Sequence, residues 1–337
     1  MPSLLHNIRS KIISNIEKFY SKKSASILSI FIIIILVFYI LTPEHRIVDM
    51  FVISVILRTV PELGVIAVGI TILMICQEFD LSVGSLLALS SMIMVWSYNI
   101  WGLHVVLASL LSLIITCLAA ILNGLITVKT NIPSFITTLG MMMWWRGVVL
   151  VLTGGHPVPF RPEESCPLFK EVLIGEIGII PLQFIWFIII TLVLHIVLEY
   201  TKFGNWVYST GGNKEAAREM GINTDLTKII CFMIVGLLTG FAGVIQATRI
   251  NGSNALQGQG MEMEAIAATV IGGTSLFGGV GSVVGSLIGV LLIRVLEAGL
   301  LLMRFSAYWF QAIVGLLIII SVVSNVIIEK RRKIRSS

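Results

Sequence analysis

The chain has 337 residues, of which 56% are hydrophobic and only 12% carry a charge, and its formal net charge is +5 at pH 7. Soluble domains carry about 25% charged residues, so this composition excludes an ordinary cytosolic enzyme, a disordered chain and a fibrous repeat. It predicts a polytopic membrane protein whose helical spans occupy most of the chain, because each span requires about 20 apolar residues.

Stretches without charged residues predict ten transmembrane helices and an all-α fold. The first five are predicted at 25–41, at 63–77, twice within 81–128 with a turn at 99–102, and at 134–152. The second five are predicted at 182–198, at 227–247, as a short span and a longer one between 264 and 302, and at 307–327. The second span is short in this interpretation because Pro61 and Glu62 mark its start.

Lysine and arginine are distributed unequally between the two sides of this arrangement. With the N-terminus inside, 15 of them fall on the cytoplasmic side and six on the outside. Since insertion retains Lys and Arg in the cytoplasm, both termini are predicted to be cytoplasmic. The predicted organisation is a cytoplasmic tail at 1–24, a transmembrane domain at 25–328 with an extracytoplasmic loop at 153–181 and a cytoplasmic loop at 199–225, and a basic tail at 329–337.

The tetrapeptide Val-Gly-Ser-Leu occurs twice, at 83–86 and at 284–287, each time beside a short predicted span. Paired segments interrupted by glycine are typical of transporters, in which broken helices line a cavity near the centre of the membrane. The repeat therefore predicts two related halves with short broken helices near the centre. Close packing of unbroken helices is the alternative, because Gly281, Gly285 and Gly289 also form a stripe of small residues.

Few ionisable residues fall within the predicted spans, where a charge is costly and indicates function. Asp80 is the strongest candidate, because Ser82 and Ser85 lie beside it at the first interruption. The alternative is that Asp80 caps a helix that begins at Leu81. Three further residues are predicted to form interhelical pairs or to lie at the membrane interface, namely Arg146, Arg294 and Glu297.

The polar segment 213–221 contains the signals of a short helix. Asn213 is a favourable N-cap, Glu215 lies where a carboxylate suits the helix dipole, and Gly221 is placed to end the helix. A helix of this length is unstable alone in water, so one of its faces is predicted to dock on a partner or, alternatively, on the chain itself. The small apolar face consists of Ala216, Ala217 and Met220.

Four stretches, spread in order along the chain, resemble motifs of ABC-importer permeases of the monosaccharide (ribose/xylose-type) branch. Glu215-Ala216-Ala217 followed by Gly221 is similar to the EAA-x3-G motif of the cytoplasmic helix that docks onto the ATPase subunit. The other three stretches are 80–85, 132–140 and 265–279. The chain departs from the family pattern at Glu78-Phe79, where Gly-Gly is usual, and at Gly204-Asn205, where Gly-Arg is usual.

The resemblance implies the permease subunit of an ATP-driven importer for a monosaccharide or similar small polyol, in the inner membrane of a bacterium. The partners that it implies are an ABC ATPase subunit, an extracytoplasmic sugar-binding protein and a second permease subunit, which is either identical or related. Membrane lipid surrounds the chain, and no nucleic acid is expected as a partner. The sequence holds no G-x-x-x-x-G-K-[ST] motif, so ATP use is expected on the partner, and no cofactor, metal or catalytic residue is expected here. The residues predicted to line the substrate path are Asp80, Ser82, Gly84, Ser85, Ser134, Phe135, Thr274 and Ser275.

Two other classes of function are compatible with a polytopic chain. An ion-coupled secondary sugar transporter that works without an ATPase would need several buried acidic residues, for which only Asp80 and Glu297 qualify. A membrane enzyme such as a lipid-linked sugar transferase would need a catalytic cluster, but the five histidines are scattered and no H-E-x-x-H or C-x-x-C occurs. The ATP-driven importer is therefore the favoured interpretation.

Overall fold

The computed structural model describes residues 23–161 and 166–336, and most of them lie in helices. The first helices are α1 (Lys23–Leu41), a 3-10 turn (Pro43–Val48), α2 (Met50–Ile75), α3 (Val83–Asn99), α4 (Val105–Thr130) and α5 (Ser134–Thr153). They are followed by α6 (Pro167–Ile174), α7 (Leu182–Tyr200), α8 (Lys202–Gly212) and α9 (Lys214–Glu219). The last are α10 (Thr224–Ile250), α11 (Met261–Ile271), α12 (Val283–Leu302) and α13 (Ala307–Ser336). Short antiparallel pairs join β1 (Val158–Pro159) to β4 (Gly252–Ser253) and β2 (Glu176–Ile177) to β3 (Ile180–Pro181).

Six of the described helices are long and apolar enough to cross a membrane. They are α2, α4, α5, α7, α10 and α12, and three shorter apolar stretches lie in α1, α3 and α13. The prediction of a mostly helical, polytopic membrane protein is thereby confirmed. Of the predicted tails, 1–22 lies outside the described residues, whereas α13 continues through 329–336.

The second helix corrects the predicted spans. Instead of a short span that starts after Glu62, α2 begins at Met50 and runs through Pro61 for 26 residues. Glu62 is tolerated inside the helix because Arg249 Nε lies 2.5 Å from Glu62 Oε1 and Gln246 Nε2 lies 2.7 Å from Glu62 Oε2. Both partners are on α10, so a charge that looks like a boundary in the sequence is compensated by a distant segment.

Helices α2 and α10 lie at the centre of the bundle and contact each other. Helices α3 and α4 pack on α10, α5 packs on α3, and α7, α11 and α12 pack on α2. Hydroxyls fasten α3 to α10, since Ser90 Oγ donates to Gly240 O at 2.8 Å and Ser91 Oγ to Gly243 O at 2.9 Å. Small residues at such contacts allow close approach of helix backbones, which drives association where no water is present.

Two interruptions divide the bundle, which we name the first break (76–82, between α2 and α3) and the second break (272–282, between α11 and α12). The Val-Gly-Ser-Leu repeats form the first turns of α3 and α12, directly after the breaks. Thr71 Oγ1 on α2 donates a 2.7 Å bond to Ser286 Oγ in the second of these turns. The predicted interruptions are therefore present, and α2 connects the first to the second.

Close helix packing, the alternative interpretation of the glycine stripe, also applies at Gly285. A Cβ atom at this position would overlap the carbonyl oxygen of Gly272. We expect Gly285→Ala to lower the free energy of unfolding by about 1–3 kcal/mol, which is the usual cost of overpacking. Gly315→Ala is the matched control, because its Cβ would have no atom within 4 Å. Thermal unfolding in detergent measures both variants, and equal midpoints would contradict the packing argument.

Candidate functional site

A network of hydrogen bonds surrounds Asp80 in the first break, where its side chain is fully buried. Asp80 Oδ1 accepts bonds from the backbone N of Ser82 at 2.8 Å and from Ser82 Oγ at 2.6 Å. Asn123 Nδ2, on α4, donates to Ser82 Oγ at 2.8 Å. Helix α3 begins at Val83, so the alternative in which Asp80 caps a helix starting at Leu81 is wrong. The carboxylate instead closes the turn that precedes the helix.

Two hydroxyls at the start of α5 hold the first break in place. Ser134 Oγ accepts a 3.0 Å bond from the backbone N of Phe79. One helical turn later, Thr138 Oγ1 accepts a 3.1 Å bond from the backbone N of Leu81. These bonds satisfy backbone donors that a non-helical segment would otherwise leave unpaired inside a membrane protein.

A third hydroxyl connects α3 to α5, because Ser85 Oγ on α3 donates a 2.8 Å bond to the backbone O of Met142 on α5. The predicted path omits Asn123, whose only signal is a polar side chain within a mainly apolar helix, and Thr138, which lies in the motif-like stretch 132–140. The structure thus brings together Asp80 and three further predicted path residues, and it fixes the hydroxyls of those three to neighbouring groups. These three residues are Ser82, Ser85 and Ser134.

The remaining predicted path residues of the two breaks lie apart from this network. Thr274 is buried and Ser275 half-buried in the second break, where Ser275 N donates a 2.8 Å bond to Val280 O. Within the part of the chain that the structure describes, no hydrogen bond joins either residue to the first break. Gly84 faces another element, because a Cβ there would overlap the carbonyl oxygen of Gly258.

A pocket of about 400 Å³ lies between the two breaks, at the end of the bundle that carries α9. Ser134 and Phe135 line one side, and Phe135 is 52% exposed. Leu276 of the second break and Lys214 of α9 line other sides. The complete lining is 77–79, 127–128, 131–135, Lys214, Lys228 and Leu276. One cavity therefore touches both breaks and α9.

Several buried charges form ion pairs. Lys228 Nζ forms an ion pair with Glu78 Oε1, and both side chains are about nine-tenths buried. Arg294 Nη1 lies 2.5 Å from Glu297 Oε2 on the same helix and 3.3 Å from Glu264 Oε2 on α11. The predicted pairing of Arg294 is therefore correct, and Glu264 is the interhelical partner that the sequence did not identify.

Arg146 joins α5 to the loop before α11. Its Nη1 donates to the carbonyl oxygen of Ala255 and, at 2.7 Å, to that of Gln257. This contact is structural, but it joins a helix to a loop and is not the predicted interhelical pair. Among the described residues, Asp80 forms no ion pair, whereas four other acidic residues each have a basic partner, namely Glu62, Glu78, Glu264 and Glu297.

Helix α9 has the ends that the sequence predicts. Asn213 Oδ1 accepts bonds from the backbone N of Glu215 at 3.1 Å and of Ala216 at 3.0 Å, which satisfies two donors of the first turn. Gly221 has a φ of +83°, a conformation that costs other residues energy and that ends the helix. The backbone N of Gly221 donates to Arg218 O at 2.9 Å.

The exposed face of α9 differs from the predicted one. Ala217 is buried, with 4% of its surface accessible, so it packs on the chain itself and cannot belong to a docking surface. Met220 is 83% exposed, and Glu215, Ala216 and Glu219 are exposed beside it. One face of α9 thus rests on its own protein, and the other is available to a partner.

The inner face of α9 is fastened to the start of α10. Arg218 Nη2 lies 2.6 Å from Asp225 Oδ1, and Arg218 Nε donates to Thr224 Oγ1 at 2.9 Å. Lys214 Nζ lies 3.7 Å from the same carboxylate oxygen of Asp225. These contacts hold a helix that is too short to be stable alone.

Immediately before α9, the backbone of α8 meets the end of α2 and the second break. Gly211 packs so closely on α2 that a Cβ atom would overlap the carbonyl oxygen of Ile75. The same oxygen accepts a 2.8 Å bond from the backbone N of Gly279, in the second break. We name this contact of Gly211, Ile75 and Gly279 the three-way junction. It connects α9 mechanically to the end of α2 and to the second break.

The cap of α9 is directly testable in this chain alone. We expect Asn213→Ala to destabilise the first turn of α9 by about 1 kcal/mol, because two backbone donors lose their acceptor. Amide hydrogen exchange of Glu215 and Ala216 measures this change and should become about fivefold faster. Asn213→Asp, which keeps an acceptor, is the control. Unchanged exchange in Asn213→Ala would show that the cap does not hold the helix.

Comparison with known proteins relates the chain to membrane permeases. Residues 52–322 match the family described as the permease component of a branched-chain amino acid transport system. The chain is 37% identical over 262 residues to the ribose import permease protein RbsC of Escherichia coli, covering 77% of this chain and 80% of the relative. It is 37% identical over 280 residues to the xylose/arabinose import permease protein XylH of Sulfolobus acidocaldarius, covering 80% and 76%. It is 33% identical over 281 residues to the autoinducer 2 import system permease protein LsrC of Photorhabdus luminescens, covering 82% of each.

No solved structure shows a significant match to the chain. The matched range contains both breaks, the three-way junction and α9, so the family assignment covers every element of the candidate site. The chain therefore belongs to the family of branched-chain amino acid transport system permease components, and it is a multi-pass membrane permease.

Proposed function

We propose that this chain is the permease subunit of an ATP-driven ABC importer that carries a monosaccharide or similar small polyol across the cytoplasmic membrane. Relatives named as ribose and xylose/arabinose import permeases support the substrate class. The observation that carries the proposal is α9, a capped helix with one exposed face and a direct connection through Gly211 to the end of α2 and to the second break. Movement of α9 would therefore reach the segments that interrupt the helices.

In this proposal α9 is the coupling helix that docks onto a separate ABC ATPase subunit. Met220, the most exposed large hydrophobic residue of this region, suits a shallow apolar recess because a methionine side chain adapts its shape. Glu215 and Glu219 flank it and give the contact polar edges. The partner hydrolyses ATP, and this chain is not an enzyme and holds no cofactor. The absence of a phosphate-cradling G-x-x-x-x-G-K-[ST] motif from the sequence supports that division.

Ten membrane-embedded helices with both termini in the cytoplasm fit this proposal. They form two groups of five, α1–α5 and then α7 with α10–α13. The Val-Gly-Ser-Leu repeats begin the third helix of the first group and the fourth of the second, so they do not mark equivalent helices. The proposed relation between the two halves is therefore supported by the equal number of helices in the two groups and not by the Val-Gly-Ser-Leu repeats. Helix α9 and the pocket of about 400 Å³ lie on the cytoplasmic side.

The pocket is the cytoplasmic end of the proposed substrate path. Its lining offers a hydroxyl from Ser134, an amide from Asn131 and an aromatic ring from Phe135, which suits an uncharged polyol. Ser82 and Ser85 contribute by holding the first break in place. The path residues that we propose remain Asp80, Ser82, Gly84, Ser85, Ser134, Phe135, Thr274 and Ser275.

A second permease subunit, identical or related, completes the path, and α5 is its proposed contact. Helix α5 is the least apolar of the six long candidate spans, yet only 11% of its most apolar stretch is buried, compared with 28–67% in the other five. A helix whose surface contacts lipid is expected to be more apolar than a helix buried inside the bundle. The exposed but less apolar surface of α5 therefore favours contact with another protein. Gly140 and Gly147 leave open space on its surface, which permits close approach of another helix.

An extracytoplasmic sugar-binding protein delivers the substrate on the side opposite α9. That side carries the described parts of the loop 153–181 and the β1–β4 pair. The relatives are named as import permeases, which supports delivery from outside to inside. No contact with nucleic acid is part of this function.

The proposed function is tested by substituting Met220 and measuring whether the ATPase subunit still co-purifies with the chain. We expect Met220→Asp to reduce co-purification of the ATPase subunit by about tenfold or more, because a carboxylate would be buried in the contact. Leu256→Asp is the matched control, since Leu256 is 59% exposed and lies on the opposite side. ATP-driven uptake of sugar into proteoliposomes should fall in parallel for Met220→Asp, whereas Leu256→Asp serves as the control for co-purification.

Two outcomes would count against the proposal. Full co-purification and uptake with Met220→Asp would show that the exposed face of α9 does not contact the ATPase subunit. Uptake in energised vesicles that lack any ATPase subunit would support the ion-coupled alternative instead.

A further inference from the structure

The loop that leads into α7 exposes large aliphatic side chains, although it lies outside the candidate spans. Leu168 and Val172, four residues apart on α6, are 66% and 56% exposed. The β2–β3 hairpin adds Ile177, Ile179 and Ile180, which are 65%, 48% and 42% exposed. We name these five residues the aliphatic patch. Single exposed aliphatic residues are common, but a cluster of this kind indicates a contact surface.

The aliphatic patch continues the exposed surface of α7. Trp186 Nε1 donates a 3.0 Å bond to the backbone O of Val172, which fixes α6 beside the first turns of α7. From Trp186, exposed side chains follow at helical spacing along one stripe of α7, at Ile189, Val193 and Ile196. These residues belong to a candidate membrane span, so the exposed apolar stripe is suited to contact lipid. The aliphatic patch therefore lies at the outer end of a lipid-facing surface.

The opposite face of α6 is committed to the protein. Leu173 is buried, and Phe169 packs in the same cluster of hydrophobic residues as Ala247 and Phe160. Glu171 lies at the edge of the exposed arc, where its carboxylate reaches water. At the hairpin, Glu176 is paired with Arg58 at 2.5 Å. The element is thus amphipathic with polar groups at its margin, as in helices that lie in a membrane interface.

We propose that α6 and the β2–β3 hairpin lie in the interfacial layer of the outer leaflet, with the aliphatic patch in contact with lipid. Trp186 fits this depth, because tryptophan is enriched where hydrocarbon meets headgroups. The lipid contact holds the extracytoplasmic loop at a fixed level against α7 and α10. This inference goes beyond the transport function and does not depend on which solute the chain carries.

Fluorescence quenching in the full-length chain tests this contact. The fluorophore bimane is attached to one introduced cysteine at a time, Leu168→Cys or Val172→Cys. The chain also carries Cys117→Ser and Cys166→Ser to prevent labelling there, and the other two native cysteines are buried. Glu171→Cys, on the same helix, is the matched control. The chain is reconstituted in vesicles containing a phospholipid with a nitroxide near its headgroup. We expect this lipid to reduce fluorescence at 168 and 172 at least about twofold more than at 171, and aqueous iodide to act in the opposite order.

Two results would overturn the inference. Iodide quenching at 168 and 172 as strong as at 171 would place the aliphatic patch in water. Protection from iodide that arises only after the extracytoplasmic binding protein is added would assign the patch to a protein contact. Neither measurement involves ATP or sugar, so failure of the proposed transport function would leave this test intact.

Discussion

Gly211→Ala is expected to lose most ATP-driven uptake, whereas Gly212→Ala keeps the uptake of the unmodified chain. The two glycines are adjacent, but a Cβ at Gly211 would overlap Ile75 O, and one at Gly212 would have no atom within 4 Å. Relief of that overlap must separate α8 from α2 or break the bond from Gly279 N to Ile75 O. Overpacking by one methyl costs about 1–3 kcal/mol, which corresponds to a change of about 5- to 150-fold in a coupled equilibrium.

Uptake into proteoliposomes that contain the complete importer measures this effect. Co-purification with the ATPase subunit and thermal unfolding of both variants separate lost coupling from lost folding. The expected pattern for Gly211→Ala is retained ATPase binding with uncoupled hydrolysis. Equal uptake by the two variants would show that the three-way junction does not transmit movement of α9.

Lys228→Met is expected to have the largest effect on stability, with a loss of about 3–5 kcal/mol in the free energy of unfolding. The substitution leaves the carboxylate of Glu78 about nine-tenths buried without its only basic partner among the described residues. The double variant Glu78→Met/Lys228→Met should recover most of this loss, because replacing a buried pair with apolar residues of similar volume is often neutral. The comparison isolates the uncompensated charge from the loss of packing.

Thermal and denaturant unfolding of the two variants and the unmodified chain in the same detergent provide the measurement. Arg46→Met is the control, since its pair with Glu44 is more than half exposed and contributes little. A double variant as unstable as Lys228→Met would mean that the ion pair is not the source of the effect. Both results bear on the pocket, which Glu78 and Lys228 line.

Helix boundaries were predictable where local signals coincide with the ends of the spans. Helix α5 begins after Pro133, as predicted, and ends at Thr153, one residue beyond the predicted Leu152. The turn predicted at 99–102 lies between α3 and α4. Pro133 marks the start of α5 because proline is tolerated before or in the first turn of a helix but not in its interior. Gly102 and Gly154 mark the other two points, because their positive φ values of 63° and 59° favour glycine.

The predictions were wrong where the energetic effect of a residue depends on a contact with another segment of the chain. Glu62 looks like the end of a loop until Arg249, 187 residues later, is placed beside it. Ala217 looks like part of an exposed face until Arg218 and Asp225 turn α9 onto the start of α10. The hydrogen-bond network around Asp80 is a further example. Asn123 and Thr138 belong to it only through contacts with the first break, which lies far from them in the sequence.

The fastening of the first break to α5 has a consequence for how this permease can diversify. Ser134, Thr138 and Ser85 bond to main-chain atoms of Phe79, Leu81 and Met142, so the identity of those three side chains does not enter the bonds. Substitutions at 79 and 142, whose side chains are only half-buried, can therefore accumulate without loosening these bonds. Leu81 and Glu78 are constrained differently, because Leu81 packs in the core and Glu78 is paired with Lys228. The first break can thus vary in sequence at Phe79 while its anchoring to α5 is kept.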